Sequence, residues 1–274
     1  MMKIGNRMFD TENNTYIMGI LNVTPDSFSD GGKWNNKDAA LKHTEEMIQE
    51  GADIIDIGGE STRPGYTLPG YTLLSDEEEI ERVVPMIEMV KANFDIPVSI
   101  DTYKSGVAEA AVRAGADLVN DIWGLKYDEK IADVIAKNNV ACCLMHNRKE
   151  AVYDNFIEDM LNDLRETIVI AKRAGIADDK IMIDPGVGFA KTYEHNLEAI
   201  HHLERLHELS YPILLGTSRK SVIGNTLNLP ASERVEGTLV TTVFGVQKKA
   251  AFIRVHDIKE NKRAILMTRA ILGC

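Results

Sequence analysis

Short runs of apolar and β-branched residues recur along the 274-residue chain. Each run is followed by a polar or glycine-rich turn and then by an amphipathic stretch, which is typical of repeated strand–helix units on a parallel sheet. The pattern predicts eight strands, most of them short. They cover residues 16–21, 53–57, 98–100, 118–119, 141–145, 181–183, 213–215 and 251–255.

Helix signals fall between these strands. Asn36 precedes a predicted helix over residues 37–49, and Ser75 with Glu78 makes a capping box before a helix over residues 79–93. Gly115 and Gly175 are expected to end two further helices. No linker interrupts the pattern, so we predict a single domain over residues 1–274.

This alternation fits a (β/α)8 or TIM barrel, and it also fits an open doubly wound sheet. No Gly-x-Gly-x-x-Gly sequence follows the first strand, and the eight units show no switch in pattern. A barrel of roughly 250 residues is an ordinary size for one domain. We therefore predict an α/β protein with a (β/α)8 barrel.

Composition restricts the possible partners. The 42 acidic and 31 basic residues give a net charge of −11, so neither nucleic acid nor an anionic membrane is a natural partner. No apolar run approaches the roughly 20 residues of a membrane span, and residues 1–9 lack the apolar stretch of a signal peptide. We expect a cytoplasmic protein. Cys142, Cys143 and Cys274 have no zinc or redox spacing.

Hydrogen-bonding side chains follow every predicted strand. Because the carboxyl ends of barrel strands meet at one mouth, these side chains should lie close together. An Asp after a strand can simply cap a turn, and Asp101 and Asp184 each allow that interpretation. Eight coincident polar ends favour a pocket instead. The residues are Asn22, Glu60, Thr62, Arg63, Asp101, Asn120, Asp121, His146, Asn147, Asp184, Ser218 to Lys220, Arg254 and His256.

The pocket residues divide by chemistry. Asp101, Asn120 and Asp184 offer acceptors for a ring edge that carries amino and N–H donors. A second group offers donors for phosphate or carboxylate. Its members are Arg63, Lys220, Arg254 and His256.

The segment Asp-Pro-Gly-Val-Gly-Phe at residues 184–189 has two interpretations. It is similar to a phosphate loop, but it lacks the Lys-Ser/Thr ending of one. Its glycines can equally serve a sharp turn out of the strand.

Two longer motifs carry a family resemblance. Gly-Ile-Leu-Asn-Val-Thr-Pro-Asp-Ser-Phe-Ser-Asp-Gly-Gly at 19–32 and Asp-Ile-Gly-Gly-Glu-Ser-Thr-Arg-Pro-Gly at 56–65 resemble the two signatures of dihydropteroate synthases. Similar shorter segments follow in family order, so the resemblance covers nearly the whole chain. These segments lie at 99–102, 120–121, 145–147, 183–191, 217–220 and 254–256.

The resemblance implies that a pterin diphosphate is joined to 4-aminobenzoate, with Mg2+ as the cofactor and a homodimer as the usual assembly. Asp184 would accept from the pterin 2-amino group and a ring nitrogen, and Lys220 would donate to the ring carbonyl. Asn22 would contact magnesium or the diphosphate. The catalytic set is Lys220, Asp101, Arg254 and His256, of which Arg254 and His256 would anchor the departing diphosphate. The substrate-binding set adds Thr62, Arg63, Asn120, Asp184 and Phe189.

Two loops, at residues 24–32 and 61–74, would close over the site and form the 4-aminobenzoate pocket. Phe28 and Ser221 also allow structural roles, as a hydrophobic plug and a helix cap. The candidate pocket residues are Phe28, Asp30, Arg63, Pro64 and Ser221.

The second loop contains a tandem repeat that departs from the family pattern. Pro-Gly-Tyr-Thr-Leu at residues 64–68 recurs at once at 69–73. Added loop residues cost little folding free energy, but they can move the wall of a binding site. We expect the repeat to weaken binding of sulfonamides, which mimic 4-aminobenzoate but project beyond it, more than binding of the substrate. A neutral length variant is the alternative.

Two other functions fit parts of this pattern. A pterin-dependent methyltransferase would share the pterin pocket, but it would not need the diphosphate-binding set. An inactive pterin-binding homologue would not need the complete catalytic set, which is present here.

Overall fold

The computed structural model of the chain describes residues 1–23, 33–60 and 74–273, with residues 33–37 described by their backbone alone. Eight parallel strands form the predicted barrel, in the order β9-β10-β3-β4-β5-β6-β7-β8. A backbone bridge between Ile183 and Ile213 joins the two ends of this order. The strands are β3 (Tyr16–Asn22), β4 (Ile54–Gly58), β5 (Val98–Asp101), β6 (Leu118–Asp121), β7 (Ala141–Met145), β8 (Ile181–Asp184), β9 (Leu214–Gly216) and β10 (Phe252–Val255).

Helices follow the strands and cover the outside of the barrel. The predicted capping box is confirmed, because Ser75 accepts from the backbone of Glu78 and the Glu78 side chain accepts from the backbone of Ser75. The first helix begins at Lys33, so Asn36 lies inside it and does not precede it. The helices are α1 (Lys33–Glu50), α2 (Asp76–Asn93), α3 (Ser105–Arg113), α4 (Lys130–Asn138), α5 (Phe156–Arg173), α6 (Tyr193–His201), α7 (Ser221–Leu227), α8 (Val235–Gln247) and α9 (Ile258–Leu272).

Successive side chains of each strand alternate between the helices and the barrel interior, as a period of two requires. The first interior layer is apolar and has buried residues from seven strands. Its members include Met18, Ile54, Leu118, Cys143, Met182, Leu214 and Phe252. This apolar layer separates the polar mouth from the opposite end of the barrel.

An antiparallel hairpin, absent from the sequence prediction, closes that opposite end. Its strands β1 (Met2–Ile4) and β2 (Arg7–Phe9) pair around Gly5 and Asn6. Phe9 packs edge to face against Tyr16 at 4.9 Å between ring centroids, and it also contacts Phe252. The hairpin therefore completes the apolar layer from below.

One strand-end residue does not contribute to the mouth. Asp121 has the same parity along β6 as Val119, which packs among the outer hydrophobic residues. Its carboxylate accepts from the backbone N–H groups of Trp123 at 2.8 Å and Leu125 at 2.6 Å. Asp121 is thus a turn former, and the expectation that it lines the pocket was wrong.

No helix among the described residues is both long enough and apolar enough to cross a membrane.

Candidate active site

The guanidinium of Arg254 bridges two carboxylates inside the barrel. Its Nε donates to Asp56 Oδ2 at 2.6 Å, and its Nη2 donates to Asp101 Oδ2 at 2.6 Å. Asp56 and Asp101 are both buried. Burial raises the pKa of Asp101 to about 7, while the positive charge of Arg254 opposes this effect. The bridge joins β10 to β4 and β5 and fixes the centre of the mouth.

Sheet register places several polar candidates at one height. Asn22 pairs with Gly58, Gly58 with Asp101, and Asp101 with Asn120, across four neighbouring strands. A Cβ atom on Gly58 would lie 3.7 Å from Asn22 Oδ1 and 3.8 Å from Asp101 Oδ2. The absence of a side chain at Gly58 therefore leaves open the space between these two groups.

The carboxylate of Asp184 and the ammonium of Lys220 lie across the mouth from this layer. Asp184 Oδ1 accepts from the backbone N–H of Gly186 at 2.6 Å, so this residue forms a turn as well as lining the pocket. Burial raises the pKa of Asp184 and lowers that of Lys220 to about 8, and the attraction between the two charges opposes both shifts. The mouth thus holds a charged pair in a desolvated setting.

A short loop orients Lys220. Its Nζ donates to the backbone oxygen of Val187 and lies 4.6 Å from the centre of the Phe189 ring. Phe189 packs against an apolar cluster at the mouth, so a flat ligand would meet apolar side chains beside the charged pair. The buried members of the cluster are Tyr103, Ile122 and Met145, with Trp123 partly buried beside them.

His256 and Ser221 lie at the edge of the mouth. His256 shares a hydrogen bond of 2.9 Å with the hydroxyl of Ser218, and its backbone N–H donates to the same hydroxyl at 3.2 Å. Ser221 is exposed as the first residue of α7, and Lys220 occupies the cap position, so the helix-cap role considered for Ser221 does not hold.

Buried acceptors converge below the mouth. Within the part of the chain that the structure describes, Asp56 Oδ1, Asp101 Oδ1 and Ser99 Oγ are buried without a hydrogen-bond partner. A buried polar atom left unpaired costs about 1–3 kcal/mol. The arrangement is therefore suited to a ligand that carries N–H donors.

Several predicted site residues lie outside the described residues. They are Phe28, Asp30, Thr62, Arg63 and Pro64, together with the tandem repeat at 64–73.

Residues 18–256 match the family model described as pterin binding enzyme. The chain is 63% identical to the dihydropteroate synthase of Clostridium beijerinckii over 99% of both chains. It is 52% identical to that of Bacillus subtilis, over 94% of this chain and 89% of the relative.

Solved structures give the same result. A dihydropteroate synthase from Clostridium difficile, determined in the presence of pteroic acid, matches with a TM-score of 0.92 and 50% identity over 96% of this chain and 99% of that one. The Xanthomonas albilineans enzyme with 4-aminobenzoic acid matches with a TM-score of 0.89 and 40% identity over 96% of this chain and 94% of that one.

The chain belongs to the dihydropteroate synthase family. It is an enzyme that transfers a pterinylmethyl group. The predicted family and the predicted barrel fold are confirmed. The two alternative functions, a pterin-dependent methyltransferase and an inactive pterin-binding homologue, are rejected.

Two strand-end residues of this dihydropteroate synthase proved to be involved in other contacts. His146 is buried beneath the loop that follows β8, where it contacts Asp163 and Lys191. Glu60 is held by Lys104. Asp56 was not predicted as a site residue. An acidic residue within the otherwise apolar strand Ile-Ile-Asp-Ile-Gly could have indicated a buried functional group.

Lys104 ties together both ends of the segment at 61–73. Its Nζ contacts Glu60 at 3.0 Å, Glu79 at 2.8 Å and the backbone oxygen of Leu74 at 2.8 Å. Burial raises the pKa of Glu79, and the hydrogen bond from Lys104 opposes that shift. One ammonium group thus compensates two buried carboxylates at the base of the second loop.

We predict that Lys104→Met lowers the free energy of unfolding at pH 7 by about 3–5 kcal/mol, because both buried glutamates then lose the cation that compensates their charge. The missing charge raises the folded pKa of Glu79 further above its unfolded value. The folded state then binds more protons, so the deficit should shrink as the pH falls from 7 towards 5. Urea unfolding at both pH values measures this.

Lys42→Met is the matched control, because Lys42 makes an exposed ion pair with Glu46. It should change stability by less than about 1 kcal/mol at either pH. A Lys104→Met deficit that is equally large at pH 7 and pH 5 would contradict the charge explanation.

Proposed function

We propose that the chain joins 6-hydroxymethyl-7,8-dihydropterin diphosphate to 4-aminobenzoate and releases 7,8-dihydropteroate and diphosphate. The observation that carries this proposal is a set of three buried acceptors beside Arg254 that have no hydrogen-bond partner among the described residues, namely Asp56 Oδ1, Asp101 Oδ1 and Ser99 Oγ. The pteroic acid and 4-aminobenzoic acid of the solved relatives agree with it.

Pterin recognition would use the acceptors on the interior of β5, β6 and β8. Asp184 would accept from the 2-amino group and a ring N–H, with Asn120 and Asp101 completing the ring edge. Lys220 would donate to the ring carbonyl, since its Nζ already lies above Phe189. The apolar surface of Ile122, Met145 and Phe189 would contact the flat ring.

The diphosphate would lie against Arg254 and His256. A guanidinium has five N–H donors. Two nitrogens of Arg254 donate to Asp56 and Asp101, so other N–H groups remain for phosphate oxygens. His256 stands at the rim, with Ser218 fixing its ring. The charge of Arg254 and the imidazole of His256 would stabilise the negative charge that develops as the diphosphate leaves.

Magnesium would be held by Asn22 together with diphosphate oxygens and water. The described residues contain no group of three or more His, Cys, Asp or Glu side chains suited to a metal. An amide oxygen beside a carboxylate nevertheless fits Mg2+, which keeps several waters and takes few protein ligands. When bound, the ion would neutralise diphosphate charge.

In the reaction, the bond between the exocyclic methylene carbon and the diphosphate oxygen breaks, and its electron pair leaves with the diphosphate. The cation that forms is delocalised over the pterin ring. The amine nitrogen of 4-aminobenzoate then attacks the carbon and loses a proton to solvent. We assign no general base, because an aromatic amine is a neutral nucleophile at pH 7. The proposed contacts to 4-aminobenzoate remain Phe28, Asp30, Arg63, Pro64 and Ser221, and Thr62 remains a proposed contact in the pterin and diphosphate pocket.

The exposed apolar surface of α8 and α9 supports the proposed homodimer. The two helices are neighbours, and an exposed apolar area of this kind marks an interaction surface. The contributing side chains include Val240, Phe244, Leu266, Met267 and Ile271.

The synthase assay tests the reaction and its residues. With pterin diphosphate, 4-aminobenzoate and Mg2+, the chain should form dihydropteroate. Asp184→Ala and Lys220→Ala should each lower kcat/KM about a hundredfold, the loss expected for removal of charged hydrogen bonds worth roughly 3 kcal/mol. Asp178→Ala is the control, because this exposed carboxylate lies just before the amino end of β8, whereas Asp184 lies at its carboxyl end. Absence of product from the unmodified chain would refute the proposal.

Deletion of residues 69–73 tests the tandem repeat. The ends of its segment are fixed, because Glu60 and Leu74 both bind Lys104. We expect deletion to lower the ratio of the sulfonamide inhibition constant to the 4-aminobenzoate KM about tenfold, or ~1.4 kcal/mol. Stability should change by less than about 1 kcal/mol. An unchanged ratio would identify the repeat as a neutral length variant.

Sedimentation equilibrium tests the homodimer. The unmodified chain should sediment as twice its 30.5 kDa mass, and Met267→Asp should shift it towards a monomer by placing a charge in the apolar surface. Exposed Lys259→Asp on the same helix is the control for introducing an aspartate. A monomeric unmodified chain would refute this proposal.

A further inference from the structure

A second lysine lies beneath the loop that orients Lys220. Lys191 is partly buried, and its Nζ donates to His146 Nδ1 at 2.9 Å and to the backbone oxygen of Phe189 at 3.0 Å. No carboxylate of the described residues lies within ion-pair distance of it. Burial lowers the pKa of Lys191 to about 7, while the charge of Asp184 opposes that shift. The predicted substrate-binding set does not include it.

The contacts of His146 fix its tautomer. The ionised carboxylate of Asp163 can only accept, so the ring proton sits on Nε2 and Nδ1 accepts from Lys191. Nε2 then donates to Asp163 Oδ2 at 3.0 Å, and Arg148 Nε donates to the same oxygen at 2.6 Å. Burial lowers the pKa of His146 to about 4, and Lys191 adds to this effect, so the ring is neutral near pH 7. Asp163 therefore fixes the ring of His146, and the ring in turn fixes the position of the Lys191 ammonium group.

The same loop is held from both of its sides. Lys220 donates to Val187 from the pocket, and Lys191 donates to Phe189 from below. The backbone of His146 donates to the Asp184 carbonyl at 2.9 Å, so the base of the loop is fixed as well. A displacement of Lys191 would therefore move the residues that place Lys220 and Phe189.

We propose that Lys191, oriented by His146 and Asp163, is a positioning residue for pterin binding. It fixes the loop at 186–189 and supplies a second positive charge to Asp184. This inference rests on the proposed function, because it assumes that Asp184 recognises the pterin in its ionised form.

The surrounding charges determine the expected pH dependence. Lys191 faces Asp184 on β8, Asp163 on α5 and the neutral His146 after β7, while Lys220 and Arg148 are the nearby cations. Asp184 in turn faces Lys220, Lys191 and Arg254. An ionised Asp184 is needed to accept two N–H donors. Loss of the Lys191 charge raises the pKa of Asp184 further, so pterin binding should then require a higher pH.

The experiment compares Lys191→Met with Lys191→Arg, which keeps the charge. Titration calorimetry with 6-hydroxymethylpterin from pH 5.5 to 8.5 gives the Kd, and steady-state kinetics give KM and kcat. We expect Lys191→Met to weaken pterin binding about tenfold at pH 7. The acid limb, meaning the loss of pterin binding as the pH falls, should move about one pH unit higher, which is the size of a nearby-charge effect. KM for pterin diphosphate should rise, and KM for 4-aminobenzoate should stay within about twofold. Lys191→Arg should restore the acid limb.

Lys172→Met is the matched control, because Lys172 makes an exposed ion pair with Asp178 on the far side of the barrel. It should bind pterin as the unmodified chain does. Asp163→Asn provides a second variant that keeps the test decisive if Lys191→Met does not fold. It removes a charge that favours protonated Lys191 and should shift the acid limb in the same direction by a smaller amount.

An unchanged pH profile in Lys191→Met or, where that variant does not fold, in Asp163→Asn would overturn the inference, as would a uniform loss of binding at every pH. These outcomes are distinct from failure of the proposed function. If the unmodified chain binds no pterin, or if Asp184→Asn binds it equally well, the assignment of Asp184 is wrong.

Discussion

The guanidinium of Arg254, held between Asp56 and Asp101, is the interaction on which the rest of the site depends. Two carboxylates this close inside a barrel would repel each other and would be costly to desolvate without a shared cation. Arg254 on β10 extends past the neighbouring strand β3 and contacts Asp56 on β4 and Asp101 on β5. Because a guanidinium offers donors in fixed directions, one group can hold both acids and still present N–H groups to a ligand.

A charged bridge of this kind is tolerable because the barrel interior is layered. The hairpin and the apolar layer around Met18 and Phe252 keep water from the lower end. The polar layer above them opens to the mouth, where Asp184 and Lys220 complete the charge balance. Gly58 and Gly216 face this space without side chains, and a Cβ on Gly216 would lie 3.6 Å from Asp184 Oδ2. The centre of the mouth is thus kept open.

Most of the fold was predictable because its signals are local. Apolar runs marked each barrel strand, and polar residues at their ends marked the mouth. The hairpin at the amino terminus was missed, although Gly-Asn between short alternating runs is a turn signal. Asp56 could also have been predicted, since it lies two residues after Ile54 and therefore on the same interior face of β4. By contrast, the contact of Lys191 with His146 spans 45 residues of sequence, and no local pattern encodes such a pairing.

The glycines of the segment at 184–189 illustrate how the structure decides between interpretations that sequence leaves open. Gly186 has φ +68°, and a Cβ there would lie 2.0 Å from the His146 carbonyl oxygen. Gly188 has φ +91°, and a Cβ there would lie 3.0 Å from Lys220 Cδ. Both positions need glycine for a left-handed turn and for close packing. The carbonyl oxygens of Val187 and Phe189 also point at lysines, which suits the binding of cations and not of phosphate. The segment is therefore a sharp turn that orients two lysines around Asp184.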